Sequence, residues 1–415
     1  MTSSAARPAT ARQGQPGDPR FTGLIEAARA LQPRTVALRR QVHKHPELGL
    51  RLPATQAAVR HALEGLPLEI HTGESCDSVV AVLRGARTGP TVLLRGDMDA
   101  LPLTEQTNCA FASQVQGSMH ACGHDTHVAM LASAARLLCS RREALAGQVV
   151  FMFQPGEEGF HGAKLMIEEG VLDAAGTRAT SAFALHVTST LKSGVITTRR
   201  GAVMAASDVF RVAVTGRGGH ASRPHDALDP VPAAAAMVGA LQTMVTRRTP
   251  VFEPTVVTVA RIAAGTASNI IPETAELEGT IRTLSESART RVHAELERVC
   301  EHTAASYGCA ATVEIDSGYS VTVNDDAAAD GVLALSAALL GERCSERMDE
   351  PMMGSEDFSY VLRQVPGAMV FIGACPPTTE PDRAAPNHSN RVVFDESAME
   401  HGVAMYAAFA LDALR

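Results

Sequence analysis

Short apolar runs alternate with helix-patterned stretches along most of the chain. Ser78 to Leu83, Thr91 to Leu94, Gln148 to Phe153, Ala182 to Val187 and Ala368 to Ile372 are apolar and β-branched enough to predict strands. Between and around them, Val128 to Leu138, Ala163 to Glu169 and Glu396 to Leu414 carry helical spacing. A first helix is expected from Thr22 to His45, interrupted near Pro33, because proline removes a backbone donor. Strands alternating with helices imply an α/β layered domain with a central, mostly parallel sheet flanked by helices.

The middle third has another rhythm. Ser207 to Val214 reads as a strand and is followed by the turn glycines Gly216, Gly218 and Gly219. A helix from Pro230 to Arg247 comes next, capped by Asp229 with proline in its first turn. Strands Thr255 to Ile262 and Ala275 to Thr283 precede a helix from Ser285 to Tyr307, and Ala311 to Ile315 closes the series. That order, βαββαβ, is the succession of a ferredoxin-like domain. One domain inserted into another accounts for the change better than three in series. The expected boundaries are a disordered leader at 1–21, a catalytic domain from 22–204 and 321–415, and the insert at 205–320.

Composition narrows the function. With 37 Lys and Arg against 45 Asp and Glu, the net charge is −8, which opposes binding to nucleic-acid phosphates. Trp is absent and aromatics are scarce, so a base-stacking surface is not expected either. No apolar stretch reaches the length of a membrane span; the longest candidate, Val231 to Val245, is broken by Pro232, Gly239 and Gln242. Residues 1–21 lack the apolar core of a secretory signal, although the absence of acidic residues before Asp18 leaves a transit peptide open. Eight cysteines without a CxxC pair suggest a reduced, cytoplasmic protein.

Chemistry gathers at a few places. Met119 to His127 packs His120, Cys122, His124 and His127 into eight positions before a helix. A single cysteine or histidine there would be unremarkable, but thiolate and imidazole at Cys-Gly-His spacing are the donors that divalent transition metals prefer. Glu157 and Glu158 follow the strand ending at Phe153; His186 ends the run from Ala182; Asp97 and Asp99 end the run from Thr91. Ligands of open parallel sheets bind beyond the carboxyl ends of the strands. Adjacent glutamates also allow one to ligate a metal while the other takes a proton from an activated water.

These motifs resemble the metallopeptidase and amidohydrolase superfamily of the aminoacylases, within it the hippurate hydrolases, N-acyl-amino-acid amidohydrolases and plant auxin-conjugate hydrolases. The resemblance spans nearly the whole chain after the leader and rests on residues 40–49, 94–102, 119–127, 157–158, 184–187, 218–225, 265–272, 353–358 and 386–388. It implies two divalent metal ions per subunit, zinc or manganese, with cobalt or nickel also compatible. By position, Cys122 would bridge the ions, His124, Glu158, His186 and His388 would complete the ligands, and Glu157 would be the general base. Asp97 and Asp99 fall behind the ligands, and His120 and His127 in orienting or structural roles. The inserted domain is similar to the family's lid, which also forms the homodimer. There His220 would polarise the scissile carbonyl, and Asn269 and Arg282 would bind the substrate carboxylate. Two departures, Arg51 in place of an acidic residue and Gly156 in place of alanine, touch no metal role.

The expected reaction is hydrolysis of N-acyl amino acids by a water activated between two metals. A carboxypeptidase or dipeptidase of the same family is the alternative within enzymes. A non-catalytic metal-binding protein and a hydrolase using Cys122 as nucleophile are the alternatives outside that chemistry.

Overall fold

The computed structural model describes residues 19–415. Of the expected leader, residues 1–18 lie outside the described residues, while Pro19–Phe21 form a short 3-10 turn. The described chain divides into two compact units, one of residues 19–203, 323–350 and 360–415, the other of residues 204–322 and 351–359.

The first unit is built on an eight-stranded sheet. Its order is Glu69–Thr72, Val79–Arg84, Ala146–Gln154, Arg87–Asp97, Ala179–Lys192, Gly367–Cys375, Ile196–Thr198 and Ser345–Arg347. The four strands from Ala146–Gln154 to Gly367–Cys375 run parallel, with antiparallel pairings towards both edges. Every residue of Gly367–Cys375 is buried, as expected of an unbroken apolar strand covered on both faces. Helices Leu24–Lys44, His124–Ser140 and Met399–Ala413 pack on one another, and the latter two also contact the parallel strands. The parallel strands all point their carboxyl ends the same way. That edge therefore receives Asp97, the segment after Gln154, and the residues around His186.

The first helix corrects one expectation. Leu24–Lys44 is continuous through Pro33, whose ring is exposed on the solvent side. Leu24, Ala28, Thr35, Leu38, Arg39 and Val42 are buried along the opposite face. Burial of that stripe outweighs the about 3 kcal/mol that an internal proline costs.

In the second unit, strands Ala206–Thr215, Thr255–Ala264, Thr274–Thr283 and Ala310–Ser317 form one antiparallel sheet. Ala206–Thr215 and Thr274–Thr283 bury alternate residues, the mark of a sheet covered on one face. Helices Pro230–Arg248 and Glu286–Ser306 lie against it, their first turns capped by the Asp229 carboxylate and the Ser285 hydroxyl.

A buried ion cluster ties this unit together. The Asp208 carboxylate accepts from Arg289 Nε at 3.0 Å, His293 Nε2 at 2.7 Å and the Gly318 amide at 3.1 Å. Arg289→Met leaves that buried carboxylate short of its main partner. We expect a loss of about 3–5 kcal/mol in urea denaturation of the full chain, as for other broken buried pairs. A loss under about 1 kcal/mol would show that His293 and Gly318 suffice.

Candidate metal centre and active site

The local fold explains why the metal-type donors converge. Gly123 has φ +87°, and a Cβ there would meet Val187 Cγ1 at 2.3 Å, so only glycine allows the chain this close to the neighbouring strand. The turn sets Cys122 just before helix His124–Ser140, with His124 as its first residue. Gly156 also lies in the left-handed region, at φ +71°, and turns the chain after strand Ala146–Gln154 into Glu157 and Glu158. The glycine at 156 therefore has a conformational reason.

Cys122 Sγ lies 3.4 Å from His186 Nε2 and 3.2 Å from His388 Nε2. His388 Nε2 is 3.3 Å from Glu158 Oε1. Cys122, His124 and His186 form one tight donor group, Cys122, Glu158 and His388 a second, and His124, Glu157 and Glu158 a third. The Cys122 sulfur is common to the first two. His388, at φ +68°, is held by its amide donating to Ala121 O at 2.9 Å.

Around these donors, hydrogen bonds fix orientation. His186 Nδ1 donates to Val187 O at 2.7 Å, which leaves Nε2 as the acceptor facing Cys122. The Asp99 carboxylate accepts from the amides of Glu157 and Glu158 at 3.0 and 2.9 Å and so holds the acidic pair in place. Asp97 accepts from His127 Nδ1 at 2.5 Å, and His127 Nε2 accepts from the Val187 amide at 2.7 Å. Arg95 Nη1 lies 2.6 Å from the other Asp97 oxygen. Asn387 Nδ2 donates to Cys122 O and Val187 O.

The electrostatics fit a cation. Neither ring nitrogen of buried His124 has a hydrogen-bond partner among the described residues. Asp99, Asp97 and Glu157 oxygens lie 3.4, 3.5 and 3.9 Å from that ring. Burial opposes charge on His124, yet Asp97 and Cys122 pull its pKa well above the usual value. Burial pushes the Cys122 thiol up, whereas a thiolate is what a divalent ion would stabilise. Hydrogen bonding to Cys122 and Glu158 raises His388 to about 10. Burial, then His127, keeps His186 well below its usual value and therefore neutral, the form that ligates. The donor set of thiolate, imidazole and carboxylate suits borderline divalent ions.

The second unit holds the remaining expected residues. His220 is exposed on strand Gly219–His220, with its Nδ1 accepting from the Ser222 amide at 3.1 Å. Asn269 is beside it in the backbone, its carbonyl accepting from the Ala221 amide at 3.1 Å. Arg282, half-buried on Thr274–Thr283, donates to Ser355 Oγ at 3.3 Å.

Sequence reasoning missed a buried network behind the centre. Arg39 Nε and His43 Nδ1 both approach Asp125 Oδ2, at 2.7 and 2.8 Å, and Arg39 Nη1 donates to Glu396. Against burial, Arg39 and His43 hold the Asp125 carboxyl well below its usual range, next to His124 in the chain. The available signal was the four-residue spacing of Arg39 and His43, interleaved with Leu38 and Val42 on the buried face of the first helix.

A family model described as peptidase family M20/M25/M40 matches residues 93–412. Thermostable carboxypeptidase 1 of Saccharolobus solfataricus is 36% identical over 94% of this chain and 97% of its own length. An N-acetylcysteine deacetylase of Bacillus subtilis is 38% identical over 84% of this chain and 90% of its own. The crystal structure of the Bacillus subtilis YXEP protein, a dinuclear metal binding peptidase from the M20 family, matches with TM-score 0.81 and 34% identity, covering 93% of this chain and 99% of that one.

Proposed function

The chain belongs to the peptidase family M20/M25/M40 and is a hydrolase of amide bonds, and on that premise we propose that it cleaves N-acyl amino acids into a carboxylic acid and a free amino acid. The observation that carries this reading is the buried Cys122 sulfur shared by two donor groups, with the Glu157–Glu158 pair beside it. Cys122, His124, Glu158, His186 and His388 are the residues that would hold two divalent ions. Such ions, when bound, polarise a carbonyl and make water more acidic.

The chain's own residues supply the rest. Glu157 takes the proton of the attacking water on its carboxylate and delivers it to the leaving amine nitrogen. Asp99 keeps that carboxylate in register through the amides of Glu157 and Glu158. Asp97, through His127, and Asn387 hold the chain segments that carry the donors. We assign His220 to polarising the scissile carbonyl, and Asn269 and Arg282 to the substrate's free carboxylate. A homodimer formed through residues 205–320 belongs to the same reading.

A carboxypeptidase reading is supported by the relative of that name at 36% identity. One experiment separates the two. The full chain is stripped with a chelator, reloaded singly with zinc, manganese, cobalt or nickel, and assayed on N-acyl amino acids and on peptides. We expect activity to vanish on chelation, to return with at least one metal, and to favour N-acyl amino acids by tenfold or more in kcat/KM. A reversed preference would favour the carboxypeptidase. Chelator-insensitive activity would remove the metal mechanism and leave Cys122 as a candidate nucleophile. Metal uptake without hydrolysis would leave a binding protein.

A further inference from the structure

Away from the donors already described, His43, Glu105 and Cys109 bring an imidazole, a carboxylate and a thiol together, with one donor atom of each within 4.8 Å of the others. His43 is near the end of the first helix, while Glu105 and Cys109 belong to residues 102–118, which contain no helix or strand. His43 Nε2 is 3.3 Å from Glu105 Oε1, and Cys109 Sγ is 3.6 Å from the same oxygen. Tetrahedral zinc with ordinary bond lengths sets nitrogen, oxygen and sulfur donors about 3.3–3.6 Å apart. Both separations match.

We propose that His43, Glu105 and Cys109 form a third metal site, a zinc site that pins the 102–118 segment to the first helix.

Three further observations agree. His43 Nδ1 faces Asp125 Oδ2 at 2.8 Å, the carboxylate–imidazole arrangement that orients a metal-binding histidine through its other nitrogen. Glu105 is already positioned, its Oε2 accepting from the Ser113 amide at 2.7 Å. Cys109 is partly exposed, so the cluster has one residue that solvent reaches. A metal on Nε2 displaces any proton held there, while Nδ1 stays directed at Asp125. The segment it would fix leads directly into Met119 to Cys122, and the Gln106 amide donates to Asn390 O at 2.7 Å, two residues beyond His388. The role is structural and is independent of the reaction proposed above.

The test is zinc stoichiometry of the full chain after loading and gel filtration, for wild type, Cys109→Ala and Cys122→Ala. We expect three ions in the wild type, two in Cys109→Ala with hydrolysis retained within about twofold, and one in Cys122→Ala. Equal zinc content in wild type and Cys109→Ala overturns the third site. A count of two in the wild type and none in Cys122→Ala also overturns it, while leaving the catalytic pair intact. A second measurement needs no variant: low-micromolar zinc should slow iodoacetamide labelling of Cys109 at least fivefold, read on its peptide by mass spectrometry. Labelling unaffected by zinc sinks the proposal.

Discussion

Glu157→Gln is expected to lower kcat for amide hydrolysis by about 10³-fold, within the range a lost general base costs, while both metal ions remain bound. The substitution keeps size and shape but removes the basic oxygen. Glu157 is buried, and its backbone position is set by Asp99 through an amide hydrogen bond that the side-chain change leaves in place. Glu158, the neighbour assigned to a metal, is held separately by the other Asp99 oxygen. The loss should therefore fall on kcat with KM and metal content nearly unchanged, the pattern of an interaction used only in the transition state. Steady-state kinetics and metal analysis on the same preparation check it. Activity within tenfold of wild type would move the base elsewhere, and a loss of metal would make Glu157 a ligand instead.

How much of this centre was legible before the structure depends on distance along the chain. Cys122 and His124 share one short motif, and Glu157 and His186 follow apolar runs, so strand-end reasoning places them on one edge. His388 follows no apolar run of its own, and only its resemblance to a known motif suggested it; the structure shows why it can reach, through a left-handed backbone and a bond to Ala121 O. His43 and Asp125 stand inside the motifs at 40–49 and 119–127, but their buried contact with Arg39 was illegible because a charged residue on a helix looks solvated in sequence, yet Arg39 is 1% exposed behind Asp125. Pro33 misled for a related reason: local propensity cannot weigh the tertiary burial of the opposite face. The short strands Ile196–Thr198 and Ser345–Arg347 carry too few residues for any periodicity to appear. Helices Pro53–Leu63 and Asp326–Leu340 are rich in alanine, which blurs the contrast between their faces.

Cys122→Ala should cost both catalytic ions and reduce hydrolysis to the background of the assay, at least about 10³-fold. His124 and His186 belong to one group with Cys122, and Glu158 and His388 to another, so removing this sulfur takes a ligand from both. Its charge matters as much as its lone pairs. A thiolate shared by two divalent ions would reduce their mutual repulsion, which for two +2 charges at roughly 3.5–4 Å is on the order of 17–19 kcal/mol even with an effective dielectric constant near 20. Cys122→Ser tests the charge alone, since a serine hydroxyl is far harder to ionise, and it should bind at most one ion. Cys122→Asp restores a negative group able to bridge through two oxygens, and it should recover part of the metal content that alanine and serine lose. Metal analysis of the three variants after dialysis orders them Asp above Ser above Ala. Two tightly bound catalytic ions in Cys122→Ala, with activity within tenfold of wild type, would show that the imidazoles and carboxylates hold the pair unaided and that the sulfur is a bystander.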